Sequence, residues 1–91
     1  MKVLVDSNMT IYGVFDPPAK IELKGSRATL KELLKELSDL CKSVEFIHGD
    51  EIGSDVQTIL VNETEHYYLD TPINEGDKIM VKVEMAPLGG G

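Results

Sequence analysis

The segment from Thr29 to Lys42 carries the strongest periodic pattern in the chain, and this pattern predicts an amphipathic helix. Thr29 and Glu32 have the spacing of a capping box, in which the hydroxyl and the carboxylate each pair with a free amide of the first turn. A helix with one apolar stripe must bury that stripe against another layer of structure. The stripe comprises Leu30, Leu33, Leu34, Leu37, Leu40 and Cys41.

Segments with strand patterns lie on both sides of this helix. They are either short, apolar and β-branched, or they alternate between polar and apolar residues as half-buried strands do. In the last segment the odd-numbered residues are all apolar and are expected to face the core, which leaves Met80 on the opposite face. The predicted strands are Lys2–Val5, Lys20–Lys24, Gln57–Val61 and Lys78–Met85.

Other segments give weaker patterns. Thr10–Val14 could continue the first strand, Val44–Ile47 suits a short strand or a buried turn, and Glu65–Leu69 could form another short strand. By contrast, His48–Asp55 contains two glycines and three acids and is predicted to be a loop. Asn62–Thr64 is predicted to be a turn.

The expected order of elements is strand, strand, helix and then two or three strands. A single helix covers only one side of a sheet, so we expect an α+β fold with a mixed sheet and the helix across one face. The leucine stripe is then expected to pack against Val3, Val5, Ile21, Val61 and the inward face of the last strand.

The size and charge of the chain exclude several classes of function. A chain of 91 residues buries about 64% of its unfolded surface, which suffices for one core but not for a two-domain enzyme. The net charge of −7 disfavours direct binding to nucleic acid, whose phosphates would repel the protein. The apolar runs are too short to span a membrane and the N-terminal sequence does not resemble a secretory signal, so a cytoplasmic protein is expected.

An abrupt change in composition begins at Ala86, after which the sequence reads Pro-Leu-Gly-Gly-Gly. We expect a folded domain over residues 1–85 and a flexible tail over residues 86–91, because glycine has large backbone entropy and no side chain to bury. A tip without side chains can enter a narrow channel, where the carboxyl group of Gly91 would be the only reactive group delivered. That group reacts with nucleophiles only after activation, commonly by ATP-dependent adenylation. A frayed end without function explains the composition equally well.

The order of the elements and three short motifs together resemble the ubiquitin-like sulfur carriers. Within that family the chain is most similar to the small subunit of molybdopterin synthase, and the thiamine-pathway sulfur carrier is a shorter relative. The resemblance covers nearly the whole chain. The motifs are the helix start Ala28–Leu34, the segments Leu60–Asn62 and Leu69–Ile79, and the final pair Gly90–Gly91.

The resemblance implies a β-grasp (ubiquitin-like) fold and a function as a sulfur carrier. Gly91 would be adenylated by a ubiquitin-activating-type enzyme that uses ATP, and then converted to a thiocarboxylate. The thiocarboxylate would donate sulfur, in the closest relatives to the dithiolene of the molybdenum or tungsten cofactor precursor. The chain would be a substrate of these enzymes and not itself an enzyme, and it would bind no cofactor.

The expected partners are the adenylating enzyme and the large subunit of molybdopterin synthase or another sulfur acceptor enzyme. Neither nucleic acid nor a membrane is expected as a partner. The uncovered face of the sheet is the expected docking surface, with Met80 as its contact residue. The tail residues expected to bind a partner are Pro87, Leu88, Gly89 and Gly90.

Two other functions remain open on the sequence alone. A ubiquitin-like protein modifier would share the activation step but would be joined through Gly91 to the lysines of target proteins. A β-grasp interaction module would carry the glycine tail without using it.

Other chemistry-bearing side chains are expected to have ordinary structural roles. Cys41 lies on the apolar stripe, so a core position is favoured over a thiol that relays sulfur. As the single cysteine, it excludes an internal disulfide or a cysteine zinc cluster. His48 and His66 lack a second ligand pattern, and the acids of residues 50–55 lack the spacing of a calcium loop, so no metal site is expected.

Overall fold

The structure, a computed structural model, describes residues 1–25 and 27–84. Within these ranges it contains one helix, α1, and nine strands. Met85 and the predicted tail, residues 86–91, lie outside the described residues. The elements are β1 (Lys2–Ser7), β2 (Ala19–Glu22), β3 (Ala28–Thr29), α1 (Leu30–Leu40), β4 (Ile47–His48), β5 (Glu51–Ile52), β6 (Val56–Val61), β7 (Thr64–Glu65), β8 (Pro72–Ile73) and β9 (Lys78–Val83).

Five of the strands form the main sheet, in the order β2-β1-β9-β6-β7. The first and last strands, β1 and β9, pair in parallel at its centre, whereas the other neighbours are antiparallel. Two small two-stranded sheets, β3-β8 and β4-β5, complete the chain as described. The predicted mixed sheet is therefore confirmed.

The helix packs its apolar stripe against one face of this sheet. Val3, Val5, Ile21 and Val61 are buried in the same cluster as the helix leucines, as predicted. Leu40 departs from the prediction because it is 40% exposed. It is the last residue of α1 and lies at the margin of the stripe. The buried stripe is thus Leu30, Leu33, Leu34, Leu37 and Cys41.

The start of α1 lies where the sequence predicts it, but the predicted capping box is wrong. Thr29 occupies the N-cap without a side-chain hydrogen bond to a helix amide. Its hydroxyl instead donates to Glu32 Oε1 at 3.3 Å. The first two helix amides donate to the main-chain carbonyls of Thr71 (2.8 Å) and Leu69 (3.0 Å). A distant segment therefore satisfies the helix terminus, so side-chain capping is not needed.

The predicted strand at Thr10–Val14 is wrong. The amides of Val14 and Phe15 both donate to the carbonyl of Ile11, which closes a tight turn. Phe15 is buried and anchors the turn in the core, whereas Tyr12 is 97% exposed at its tip. The local apolar pattern therefore marks an anchored turn and not an extended strand.

The predicted loop at His48–Asp55 is only partly correct. Ile47 and His48 of β4 pair with Ile52 and Glu51 of β5 in a short hairpin. The segment Glu65–Leu69 is also mostly irregular, because strand pairing ends at Glu65. The turn at Asn62 and Glu63 is confirmed, with φ values of 50° and 73° that match a tight two-residue hairpin connection.

Candidate partner-binding site

The face of the main sheet opposite α1 carries the candidate site, and we call it the open face. Side chains alternate across a strand, so each buried residue of β1, β6 and β9 has outward-facing neighbours. Met80 on β9 pairs with Asp6 of β1 on one side and with Leu60 of β6 on the other. Two residues earlier on both strands, and therefore next along the same face, Leu4 pairs with Lys78. An apolar centre thus spans the three middle strands.

A groove of about 360 Å³ lies over this centre, and we call it the sheet groove. Half-buried apolar side chains meet charged groups of both signs at its edges. An apolar patch surrounded by polar groups on a small protein is typical of a protein-binding surface. The lining residues are Leu4, Asp6, Pro18, Leu60, Glu63, Lys78, Ile79 and Met80.

The sheet groove lies over the first half of β9, and the chain leaves the sheet at the other end of the same strand. Strand β9 contains Met80 and ends at Val83, and Glu84 is the last residue described before residues 85–91. Four strand residues span about 13 Å, so Met80 lies about that far from Glu84 along the strand, and Lys78 and Ile79 lie farther away. The Glu84 amide donates to the carbonyl of Asp55 at 2.8 Å, which fixes the chain on its β6 side.

The predicted site residues fall into two groups. Met80 lies in the sheet groove and is half-buried. Its contact with a partner stays a prediction. Sequence reasoning did not name Leu4 and Leu60, although both alternate with core residues in predicted strands and this alternation was the signal. The remaining predicted site residues, Pro87, Leu88, Gly89, Gly90 and Gly91, lie outside the described residues.

Cys41 is a core residue, as expected from its place on the stripe. Its side chain is 1% exposed, and burial raises the pKa of its thiol above the ordinary value of 9.0. Only the thiolate is a good sulfur nucleophile, so burial and the raised pKa both oppose a relay function.

We expect Cys41 to resist alkylation in the folded protein. At pH 8, iodoacetamide should react at least about a hundredfold more slowly than in denaturant, because reaction requires local or global opening. The rate is measured by mass spectrometry over time. Equal alkylation rates with and without denaturant would contradict this prediction and would favour a thiol that relays sulfur.

The remaining titratable candidates make local contacts. His48 Nδ1 lies 2.8 Å from Glu45 Oε1 at the surface. Lys31 pairs with Asp50, and this hydrogen bond holds the pKa of the Asp50 carboxyl below its ordinary value. Asp55 Oδ2 accepts a hydrogen bond from the Glu45 amide at 2.8 Å. Among residues 1–25 and 27–84, no three His, Cys, Asp or Glu side chains form a group that could hold a metal ion.

In the same part of the chain, no helix has both the length and the apolar character needed to cross a membrane. The helix α1 has 11 residues, fewer than the roughly 20 that a transmembrane helix needs.

Comparison with known proteins supports the fold. Neither a protein-family model nor a curated protein matches the sequence. Among solved structures, the chain is similar to SAMP1 from Haloferax volcanii, with 18% identity, all of both chains covered and a TM-score of 0.66. It is also similar to a chain of the BexX/CysO complex from Amycolatopsis orientalis, with 16% identity, 93% of this chain and 98% of that chain covered, and a TM-score of 0.60. At these identities the likeness concerns the fold, and the chain has the ubiquitin-like β-grasp fold.

Proposed function

We propose that the protein is a sulfur carrier whose C-terminal residue, Gly91, is adenylated and then converted to a thiocarboxylate. The observation that carries this proposal is the position of the sheet groove on β9, the strand that leads into the glycine-rich segment. A partner that binds the groove at Met80 lies about 13 Å along the strand from Glu84, the last described residue before that segment. The compact domain then serves as the recognition element, and the glycines deliver the carboxyl group.

The chemistry divides into two steps. In the first, a carboxylate oxygen of Gly91 attacks the α-phosphorus of ATP, and pyrophosphate leaves to give an acyl-adenylate. In the second, hydrosulfide sulfur attacks the acyl carbon, and AMP leaves as the thiocarboxylate forms. Glycine suits both steps because it leaves the carbonyl carbon sterically open. A ubiquitin-activating-type enzyme supplies the ATP site, so the carrier is a substrate and not the catalyst.

The acceptor that we propose is the precursor of the molybdenum or tungsten cofactor, which receives sulfur at the large subunit of molybdopterin synthase to form the dithiolene. This part of the proposal rests on the resemblance of Leu60–Asn62, Leu69–Ile79 and the final pair Gly90–Gly91 to the synthase small subunit. The complex from which the second structural neighbour comes, BexX/CysO, contains two different proteins. A carrier that docks on a second enzyme is the same kind of assembly.

Intact-mass analysis of protein from native cells tests the proposal. Replacement of one carboxyl oxygen by sulfur adds about 16 Da, which is the difference between the atomic masses of sulfur and oxygen. Adducts that join Gly91 to lysines of other proteins would instead identify a protein modifier, which shares the activation step. Absence of both, together with absence of ATP-dependent adenylation, would identify an interaction module.

Replacing Met80 by Asp is expected to weaken binding to the adenylating enzyme by about tenfold or more, as is typical for loss of a central apolar contact. The carboxylate would face the partner's apolar surface without a counter-ion. Because Met80 is only half-buried, the free energy of unfolding should fall by less than about 1 kcal/mol. The dissociation constant and the thermal midpoint are measured on the same samples.

Thr58→Asp is the matched control for this measurement. Thr58 is also half-buried, pairs with Lys82 on the open face and does not line the sheet groove. Thr58→Asp introduces the same charge outside the groove, so its dissociation constant should stay within about twofold of that of the unmodified protein. Equal losses in both variants would show that added negative charge, and not the groove, controls binding.

A further inference from the structure

The carboxamide of Asn8 makes two hydrogen bonds to one residue at the end of β9. Asn8 Nδ2 donates to the Val83 carbonyl at 2.9 Å, and the Val83 amide donates to Asn8 Oδ1 at 2.9 Å. One side chain thus pairs with both peptide groups that Val83 directs toward β1. We call this pair of bonds the Asn8 clamp.

The clamp takes over where main-chain pairing stops. The parallel pairing of β1 with β9 ends at Ser7 and Val81. The chain then bends away, with the Ser7 amide bonded to Asp6 Oδ1 at 2.8 Å and the Met9 amide bonded to Ser7 Oγ at 3.2 Å. Strand β9 continues to Val83 without a main-chain partner on that side. The Asn8 side chain supplies the two hydrogen bonds that two residues of a longer parallel β1 would make.

The opposite side of the same strand end is also held. The amide of Glu84 donates to the carbonyl of Asp55 at 2.8 Å, and Gln57 Nε2 donates to Glu84 Oε2 at 3.0 Å. Val83 is therefore fixed from the β1 side and Glu84 from the β6 side. Two consecutive residues held on opposite sides define the direction of the chain at this point.

We infer that Asn8 is a positioning residue for the adenylation of Gly91. It holds the end of β9 so that the tail starts in one direction relative to the sheet groove. This inference rests on the proposed function. Without the clamp, the peptide groups of Val83 lose their hydrogen-bond partners at a residue that is only 7% exposed. The end of the strand then adopts several directions. The enzyme would still bind the domain, but the carboxyl group would reach the α-phosphorus less often.

The clamp itself is tested by hydrogen exchange in Asn8→Ala. We expect the Val83 amide to exchange about tenfold faster, since it loses its acceptor at the end of a strand. Exchange at Val81, whose pairing with β1 does not involve Asn8, should change by less than about twofold. Unchanged exchange at Val83 would overturn the inference whether or not the protein is adenylated.

A matched control lies at the other end of the same strand. Asn62 Oδ1 accepts a hydrogen bond from the Lys78 amide at 3.0 Å, at the first residue of β9. Asn62→Gly removes this side chain without backbone strain, because Asn62 has a φ of 50° and glycine favours that region. Each variant thus removes an asparagine that pairs with a terminal residue of β9, and only Asn8 pairs with the end that leads to the tail.

Adenylation is measured by ATP–pyrophosphate exchange with the ubiquitin-activating-type enzyme of the same cells. For Asn8→Ala we expect kcat to fall about tenfold and KM for the carrier to stay within about twofold, because docking through the sheet groove is retained. Asn8→Asp keeps the acceptor for the Val83 amide but sets a carboxylate oxygen against the Val83 carbonyl, so its kcat should fall at least as far as that of Asn8→Ala. Asn62→Gly should leave kcat within about twofold, and kcat is the controlled quantity because Asn62 bonds to Lys78 of the sheet groove.

The outcomes separate the inference from the proposed function. If the unmodified protein is adenylated and Asn8→Ala matches Asn62→Gly in kcat, a purely structural role explains Asn8 and the positioning inference is overturned. A rise in KM alone would also overturn it, since docking and not tail direction would then be affected. If the unmodified protein is not adenylated at all, the proposed function fails and the inference fails with it.

Discussion

A chain that ends at Gly89 is expected to fold normally and to lose adenylation by more than about a thousandfold, since misplacing a reacting group by even 1 Å costs roughly a hundredfold. The shortened chain still ends in glycine, so the chemistry of its carboxyl group is unchanged. Its reach, however, is about 7 Å shorter. The variant therefore tests whether the position of the carboxyl group controls the reaction.

Three measurements check this prediction. ATP–pyrophosphate exchange should be absent, and protein from native cells should lack the mass increase that marks a thiocarboxylate. The thermal midpoint should stay within about 2 °C of that of the full chain, because the core formed by the described residues extends from Val3 to Val83. A shortened chain that is adenylated at Gly89 as fast as the full chain is at Gly91 would refute a role for the final pair.

The second large effect is expected from Gly53→Ala, which should destabilise the protein by at least about 3 kcal/mol. Gly53 is buried beside the β4–β5 hairpin, where its amide donates to the Phe46 carbonyl at 2.9 Å. An added Cβ would lie 2.7 Å from the Phe46 carbonyl carbon and closer still to the Glu45 carbonyl group. These obstacles are main-chain atoms, so no side-chain rotation relieves the overlap, and the backbone of the hairpin must move.

Gly49→Ala is the control for this substitution. Gly49 lies in the same hairpin with a φ of 60°, and an added Cβ there meets nothing within 4 Å. Gly49→Ala should lower the free energy of unfolding by about 1 kcal/mol, the usual penalty for a side chain in the left-handed region. Urea denaturation gives both values. A Gly53→Ala variant as stable as Gly49→Ala would show that the hairpin relaxes freely and is not packed as described.

Long periodic segments made much of the fold predictable. The helix stripe and the alternation in β9 each repeat over several residues, and the resulting core residues are buried as expected. Two of the errors lie in short segments, where a single residue decides the outcome. Phe15 turns the predicted strand at Thr10–Val14 into a tight turn, and Gly53 lets the backbone approach closely beside the β4–β5 hairpin. Such contacts depend on residues that are distant along the chain, so a local pattern does not contain them.

The candidate site was predictable to a different degree in each of its parts. Alternation alone placed Met80 on the face away from the core. It did not show that Leu4 and Leu60 would lie on both sides of Met80, since strand order and register are needed for that. Asn8 gave no signal, because its partner is 75 residues away and is main chain rather than a side chain.

The parallel pairing of β1 with β9 determines when, during synthesis, the protein can be recognised through its sheet groove. Of the described strands, the one made last during synthesis occupies the middle of the sheet, so a nascent chain has a gap there until β9 has left the ribosome. The sheet groove takes residues from β1, β6 and β9 and forms only when that gap is filled. An enzyme that recognises the groove would therefore not bind nascent, truncated or unfolded copies. It would use ATP only on molecules in which the sheet is complete.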